Sequence, residues 1–487
     1  MLSFPTDIGY VYATMIRPTL VLVLAAAGCA TVLPGPRVDA SVAPSPSQRW
    51  IPPQPLPAPR PPEPDPALVA QIKPGLQVTL QQLLAYALSN NPQTRSAWLN
   101  ARAAAAGAAS RRSAYYPSIE VDAQAGFTRQ SFAKGALTFD VWALTPSAQL
   151  TWLLLDLGGR SADVEEADRL LEAANLNHGA AIQDLLLLVE QGYFQYQGTK
   201  ALFTAAGVSV KEAQTAYQAA EERRRAGVAT VADVLQAKTQ LSQAVLVLQQ
   251  AEGNVATVRG ALATSLGVPA TLPVDVADLP ERLDVRPLGE AVDKLIERAE
   301  SQRPDLARAR AQALAFASRS DSIRSRGLPK LFLGANGSRN YYLDELWVHG
   351  NNYSAAITLQ IPIFNGFKDT SDLLQARELA KAAEADAESL EQQVILQVWS
   401  SYQAVKTAEK RVGSAQDLLA AALRSAEVAE GRYKAGVGSI LDLLTAQSAL
   451  ANARAQDVQA RATWLLAISA LAHDTGTLAP PNLEGRP

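Results

Sequence analysis

The sequence predicts a mainly α-helical fold in which a long-helix unit occurs twice and each copy carries a β-hairpin. Three observations lead to this prediction. A fifteen-residue motif recurs about two hundred residues apart, stretches of alternating polarity interrupt the helical pattern, and two runs of more than a hundred residues contain no proline. Together they favour long rods joined to hairpins over a compact domain.

Composition excludes several classes of protein. The chain has 487 residues, 48% of them hydrophobic, which is enough for two or three domains. Its net charge of -3 gives no electrostatic reason to expect a nucleic-acid partner. Three histidines and one cysteine leave no His/Cys metal cluster and no disulfide framework, and no cofactor is expected.

The N-terminus reads as a secretory signal. Arg17 precedes an apolar run that begins at Leu20 and ends in small residues before Cys29, so residues 1–28 are a predicted signal peptide. Met15 is an alternative start. The ending Ala-Ala-Gly-Cys resembles a bacterial lipoprotein box, although Ala26 stands where Leu is usual. Cleavage there would leave an acylated Cys29, and the alternative is an ordinary signal peptide with an incidental cysteine.

Prolines dominate the next segment. Residues 34–66 lack hydrophobic periodicity, so we expect 29–76 to be a lipid-anchored tether whose Pro-rich part is extended, rises about 3.1 Å per residue and reaches on the order of 100 Å.

The duplication is visible in matched positions. "RRRAGVATVADVLQA" at 223–237 and "RYKAGVGSILDLLTA" at 432–446 share their register, and Pro92 and Pro117 recur as Pro304 and Pro329 after 212 residues. The sequence therefore divides into four parts after the tether: a first repeat at 77–270, a linker at 271–286, a second repeat at 287–475 and a C-terminal tail at 476–487.

Each repeat switches to period two after its second proline. The first alternating set comprises Ile119, Val121, Ala123, Ala125 and Phe127, and the second repeat shows the same pattern from Tyr353 to Ile361. Such alternation over about ten residues suits a transmembrane barrel strand, although a soluble hairpin packed on a core would also alternate. Four strands cannot close a membrane barrel, so a barrel would need several chains, and three chains would supply twelve strands.

The hairpins are followed by long helices. Residues 161–224 are helix-compatible throughout and would form a rod about 95 Å long. Past the Gly-Val turn apolar residues recur every seven positions, which predicts helices that coil back along the rods. The recurring residues are Val234, Leu241, Leu248, Val255 and Leu262, then Leu444, Ala451, Val458 and Leu465.

This combination resembles the TolC-type outer-membrane efflux proteins, and the lipoprotein box resembles their OprM/NodT-like branch. The resemblance covers about 77–475. It implies a homotrimer with a 12-stranded outer-membrane β-barrel continued by a 12-helix periplasmic α-barrel. It also implies a periplasmic adaptor (membrane fusion) protein and an inner-membrane transporter of RND type as partners. The expected function is a passive exit duct for small molecules such as drugs or metals, without enzymatic activity.

Other functions stay open at this point. A type I protein-secretion duct is the second interpretation within the channel class. A periplasmic coiled-coil scaffold would explain the rods with hairpins that pack in water. A hydrolase with paired carboxylates has no particular pair to support it.

The resemblance also suggests site residues at the two turns. It implies adaptor-docking tips at Arg223, Gly227, Val228, Arg432, Gly436 and Val437. It implies a periplasmic aperture at Asp442, Tyr433 and Asp233. A structural alternative exists for each group, because the glycines permit a turn, the valines would staple it, the arginines would be solvated, and the aspartates favour a helix N-terminus. Thr445 and Gln236 replace a further acidic position of the family, which weakens the expected acidic ring.

The lipoprotein box generates a first prediction. We expect the mature chain to begin at Cys29 and to carry acyl chains, which mass spectrometry of the membrane-extracted protein would detect. Replacing Cys29 with serine should abolish both acylation and cleavage at this bond. An unmodified N-terminus at Ala30 or later would contradict the prediction.

Overall fold

The chain folds into two similar repeats of long helices that share one β-sheet. The structure, a computed structural model, describes residues 42–43, 45–48, 77–132, 134, 137–283, 285, 289–342 and 349–479. The first repeat contains β1 (Gln77–Val78), α1 (Leu80–Asn90), α2 (Pro92–Arg112), β2 (Ser118–Phe132), β3 (Leu137–Leu155), α3 (Gly159–Arg225) and α4 (Val231–Ser265). After β4 (Asp275–Val276), the second contains α5 (Val292–Gln302), α6 (Pro304–Arg326), β5 (Lys330–Tyr342), β6 (His349–Gln360), α7 (Lys368–Lys434) and α8 (Ile440–Asp474).

The long helices confirm the predicted rods. Helices α3 and α7 each contain 67 residues, a length of about 100 Å. Proline begins the shorter helices α2 and α6, where its missing N–H costs no hydrogen bond. Asn91 caps α2 by accepting a hydrogen bond from the Gln93 amide.

The four long strands form one antiparallel sheet in the order β2-β3-β5-β6. Strand β3 pairs with β5, so the sheet joins the two repeats. Strands β2 and β6 are its edges, and each is paired on one side only within the chain. The apolar row predicted for these strands is uncovered by the chain itself, since Ile119, Val121 and Ile357 are 67–76% exposed.

Each long helix packs against the helix that follows its turn. Helix α4 lies along α3 and α8 along α7, and the two pairs meet where α3 contacts α8. The predicted seven-residue pattern faces these contacts, with Val234 and Leu262 buried in the first repeat and Leu444 and Val458 in the second. Near the sheet the order across the chain is α2-α3-α6-α7, and towards the turns it is α4-α3-α8-α7.

No helix in the described ranges carries an apolar stretch of the length needed to cross a membrane.

The described part of the predicted tether is not extended. Ser45 and Gln48 are joined by a backbone hydrogen bond in a turn, and Val42 and Ala43 are buried. Val42 packs on Ala101 and Ala105 of α2, where Trp98 Nε1 donates a hydrogen bond to the Ala43 carbonyl over 2.6 Å. Our expectation of an extended tether is therefore wrong for residues 42–43 and 45–48, because Val42 packs on α2 and the Trp98 indole binds the Ala43 carbonyl. Cys29 lies outside the described residues.

The last helices of the two repeats, α4 and α8, end in the same type of turn. Gly267 after α4 and Gly476 after α8 both take a left-handed conformation, with φ of 78° and 73°. Gly476 N–H donates to the His473 carbonyl and Thr477 N–H to the Ala472 carbonyl, which is a Schellman motif. A Cβ on Gly476 would lie 2.9 Å from the Gln302 carbonyl carbon, so this turn sits directly against the junction of α5 and α6.

This packing generates a prediction about stability. Gly476→Ala should destabilise the fold by about 2 kcal/mol or more, since a left-handed conformation and a backbone clash both penalise the new methyl group. Gly227→Ala is the matched control, because its φ is 77° and no atom lies within 4 Å of a Cβ there. The control should cost only about 1 kcal/mol. Thermal unfolding in detergent measures both, and equal midpoints would contradict the prediction.

Candidate functional site

The two turns that end α3 and α7 have the same backbone geometry. Gly227 and Gly436 have φ of 77° and 78°, the left-handed conformation that glycine adopts at least cost. Val228 N–H donates to the Arg223 carbonyl and Val437 N–H to the Arg432 carbonyl. Both turns are therefore helix ends of the Schellman type, and each reverses the chain within a few residues.

The apolar residue of each turn points away from the chain. Val228 is 65% exposed and Val437 is 68% exposed, so neither staples its turn and that alternative is wrong. Leu235 and Leu441, on the helices that leave the turns, are each 57% exposed. The tips thus present apolar side chains to solvent, beside an exposed Arg432.

Arg223 differs from its counterpart Arg432. Its guanidinium Nη1 donates a hydrogen bond of 2.5 Å to the Tyr433 carbonyl, and its Cζ lies 4.6 Å from the centre of the Tyr433 ring. This side chain therefore ties the first turn to the second within one chain. Its predicted role as a free docking contact does not fit this arrangement, because the contacts with Tyr433 occupy the guanidinium.

Tyr433 lies inside the cluster that joins the two pairs of helices at the tips. It is 6% exposed and packs with Ala216, Ala220 and Val234 of the first repeat and with Ile440 of its own. Burial raises the pKa of its phenol, the positive charge of Arg223 offsets part of this effect, and nearby Asp233 raises the pKa further. The ring and the backbone carbonyl of Tyr433 make the contacts between the two hairpins of the chain.

Asp233 and Asp442 occupy equivalent capping boxes. Asp233 accepts from the Thr230 backbone N–H at 2.8 Å, and Asp442 accepts from the Ser439 N–H at 3.3 Å. The backbone and hydroxyl hydrogen bonds of Thr230 lower the pKa of Asp233. Both carboxylates thus begin a helix, as the structural alternative expected, while Asp442 stays exposed near the tip.

Sequence reasoning missed two parts of this site. The spacings Thr-x-x-Asp and Ser-x-x-Asp before an apolar run are a known sign of a capping box and could have been recognised. The contact of Arg223 with Tyr433 joins residues 210 positions apart, and no local pattern reports such a contact.

The Arg223 contact generates a prediction. Arg223→Gln should broaden the distance between the two turns of one chain, because the glutamine loses both the cation–π contact and the reach to the Tyr433 carbonyl. Spin labels on cysteines at 228 and 437, with Cys29 replaced by serine, would report this distance by electron double resonance. Arg432→Gln is the matched control at the exposed equivalent position and should leave the distribution unchanged. Identical distributions in both variants would contradict a tie at Arg223.

Comparison with known proteins agrees with this geometry. The family model described as outer membrane efflux protein matches residues 83–268 and 295–477. Protein CyaE of Bordetella pertussis is 29% identical over 417 residues, which are 84% of this chain and 86% of that protein. The toluene efflux pump outer membrane protein TtgC of Pseudomonas putida is 27% identical over 383 residues, 77% of this chain and 78% of that protein.

Solved structures share the fold. The outer-membrane channel OprN superposes with a TM-score of 0.75 at 22% identity and covers 82% of this chain and 91% of its own. The MtrE outer membrane channel of Neisseria gonorrhoeae, in its open state, gives a TM-score of 0.69 at 22% identity, with 82% and 88% covered. Because the family model matches well over half of the chain, the chain belongs to the outer membrane efflux protein family and is the outer-membrane channel component of an efflux system.

Proposed function

We propose that three copies of the chain close one channel and that this channel is a passive exit duct for small molecules. The observation that carries the proposal is the alignment of the open edges. Strand β2 and helices α2 and α4 lie on one side of the chain, and β6 and α7 lie on the other. Pairing one side with the other side of the next copy extends the sheet and the helical wall together, and closure after three copies gives twelve strands and twelve helices.

The cargo reaches this duct through two partners. An inner-membrane transporter of RND type supplies the energy, and a periplasmic adaptor connects it to the tips. A relative named as a toluene efflux pump component supports small molecules as the cargo. Protein secretion is the second candidate, because a wide duct could also pass an unfolded chain.

The two tips form the adaptor-docking surface. Val228, Val437 and Arg432 are exposed side chains at the end of the rods, where a partner would bury the valines. Gly227 and Gly436 hold the turns that present them. Arg223 takes part as a positioning residue that fixes one tip against the other.

The same tips form the periplasmic mouth. Asp442 lies in the first turn of α8 and is exposed, so three copies would bring three carboxylates towards the axis. Asp233 and Tyr433 complete the mouth, with Tyr433 as the packed contact between the hairpins.

The N-terminal segment supports a lipid anchor at Cys29. Val42 packs on Ala101 and Ala105, which are about three and about two helical turns from the end of α2 and hence on the half of α2 nearer the sheet. The residues from Cys29 to Val42 span at most about 45 Å, enough to reach a nearby membrane surface but not the tips of the long helices. An acylated Cys29 would thus insert beside the barrel.

The trimer has a direct test. Light scattering of the detergent-solubilised protein, corrected for bound detergent, should give about three times the mass of the mature chain. Purified protein should also form stable, long-lived pores in planar bilayers. A monomer that conducts ions would refute the shared barrel, and a trimer without conductance would refute the duct.

Asp442 offers a test of the mouth. Asp442→Asn should lower the cation-to-anion permeability ratio on the order of twofold, because it removes three negative charges from the narrowing while asparagine can still cap the helix. Asp417→Asn is the control, since this exposed carboxylate lies on α7, more than two turns away from the tip. Reversal potentials in a salt gradient measure both variants. Equal ratios in wild type and Asp442→Asn would place this carboxylate outside the pore.

A further inference from the structure

The chain has two corners where a strand passes into a long helix. The first corner, residues 154–163, leads from β3 into α3, and the second corner, residues 363–372, leads from β6 into α7. Both contain two consecutive residues in the left-handed conformation, Leu157 with Gly158 and Gly366 with Phe367, 209 positions apart. The left-handed pair therefore has the same place relative to the helix start in both corners, although β6 ends four residues before the position that matches Leu155.

The end of α6 covers the first corner. Ser322 donates a hydrogen bond to Asp163, and a Cβ on Gly159 would collide with the side chain of Ser325. Both serines are buried, at 4% and 5% exposure. The contact joins the two repeats within one chain, because α6 packs between α3 and α7.

The end of α2 has the same construction, but the long helix that it contacts is α3 of its own repeat, where Arg112 Nη2 donates to Asp168 Oδ1 at 2.9 Å. Ser110-Arg111-Arg112-Ser113 corresponds to Ser322-Ile323-Arg324-Ser325 at the spacing of 212 set by the prolines. The Ser113 hydroxyl donates to the Ser110 carbonyl at 2.6 Å, and the Ser325 hydroxyl donates to the Ser322 carbonyl at 2.7 Å. Ser110 and Ser113 are nevertheless exposed.

The second corner, like the end of α2, is exposed in the single chain. Asp372 corresponds to Asp163 and is paired at the surface with Lys368 at 3.0 Å, where Lys368 takes the place of the buried Gly159. Ile363 is 93% exposed, whereas its counterpart Leu154 is partly buried. Phe364 and Phe367 are 74% and 71% exposed.

We propose that the second corner is an interaction surface for the end of α2 in a second copy of the chain. Ser110 of the neighbouring copy donates a hydrogen bond to Asp372, as Ser322 does to Asp163 inside one chain. The turn that follows α2 then covers Ile363 and the two phenylalanines, and its exposed Tyr116 supplies apolar area. The inference rests on the proposed trimer and names the contacts that build it.

Position and chemistry favour a second copy over lipid as the occupant. The second corner lies at the β6 and α7 side of the chain and the α2 end lies at the β2 side, so any copy that continues the sheet brings them together. Lys368 and Asp372 are charged. A serine hydroxyl of a neighbouring copy can donate a hydrogen bond to the Asp372 carboxylate, whereas lipid hydrocarbon offers no hydrogen bond to either residue.

Cysteine pairs test the contact in the complete protein. Ser110→Cys combined with Asp372→Cys should give dimer and trimer bands on a non-reducing gel, with at least half of the chains cross-linked after mild oxidation. Ser322→Cys with Asp163→Cys is the matched control, and it should form its disulfide within one chain and leave a monomer band. Each single variant measures the background that Cys29 contributes.

The outcomes separate the contact from the trimer. A particle of three-chain mass in which only the control pair cross-links would overturn the contact and leave the proposed channel intact. A particle of one-chain mass would instead refute the trimer on which the contact rests. Ile363→Trp in vesicles of brominated lipid adds a second readout. The seven native tryptophans set the background, so wild type is measured beside the variant. Little quenching beyond that background is expected, and strong additional quenching would show that lipid covers the corner.

Discussion

The open edges of the four-stranded sheet are the constraint on which the rest of the molecule depends. A backbone N–H or C=O left unpaired in hydrocarbon costs several kcal/mol, so β2 and β6 cannot remain edges once the sheet enters a membrane. Among the described residues, β2 is already paired with β3 and β6 with β5, so this part of the chain has no further strand to cover the outer sides of β2 and β6. Each copy of the chain therefore needs a neighbouring copy at its two sheet edges. The helices that continue from the edge strands lie on the same two sides of the chain and face the same neighbours.

The helical wall is held together by two kinds of contact. Inside each pair of long helices apolar residues recur every seven positions, whereas the seam between α3 and α8 combines the apolar cluster around Tyr433 at the tips with ion pairs such as Glu212 with Arg454 at 2.8 Å. Burial alone would lower the pKa of His473, but its hydrogen bonds to Asp184 and Asp474 raise it to about 9, so the ring is protonated at neutral pH. Partly exposed ion pairs contribute little to stability, so we expect the apolar cluster at the tips to stabilise this seam more than its ion pairs do.

The helices, strands and turns of this fold could be predicted from the sequence, whereas contacts between residues far apart in the chain could not. Two strands per repeat, the 67-residue helices and the turns at Gly227 and Gly436 follow from period, proline placement and glycine. The seat of Val42 on Ala101 could not be predicted, because an alanine-rich helix face carries no signal for what covers it. For the candidate site the sequence located the tips, but it did not distinguish the occupied Arg223 from the exposed Arg432.

That last difference reflects what duplication does in a ring. Two copies of a unit in one chain create two kinds of junction, one within the chain and one between chains, although the units began alike. The junction within the chain has its own contacts. Near the sheet Gly159 packs against Ser325, and at the tips Arg223 contacts Tyr433. The equivalent positions Lys368 and Arg432 stay exposed in the single chain. At these positions the repeats differ where one repeat meets its neighbour, whereas the left-handed residues of the corners and turns, which both junctions need, are present in both repeats.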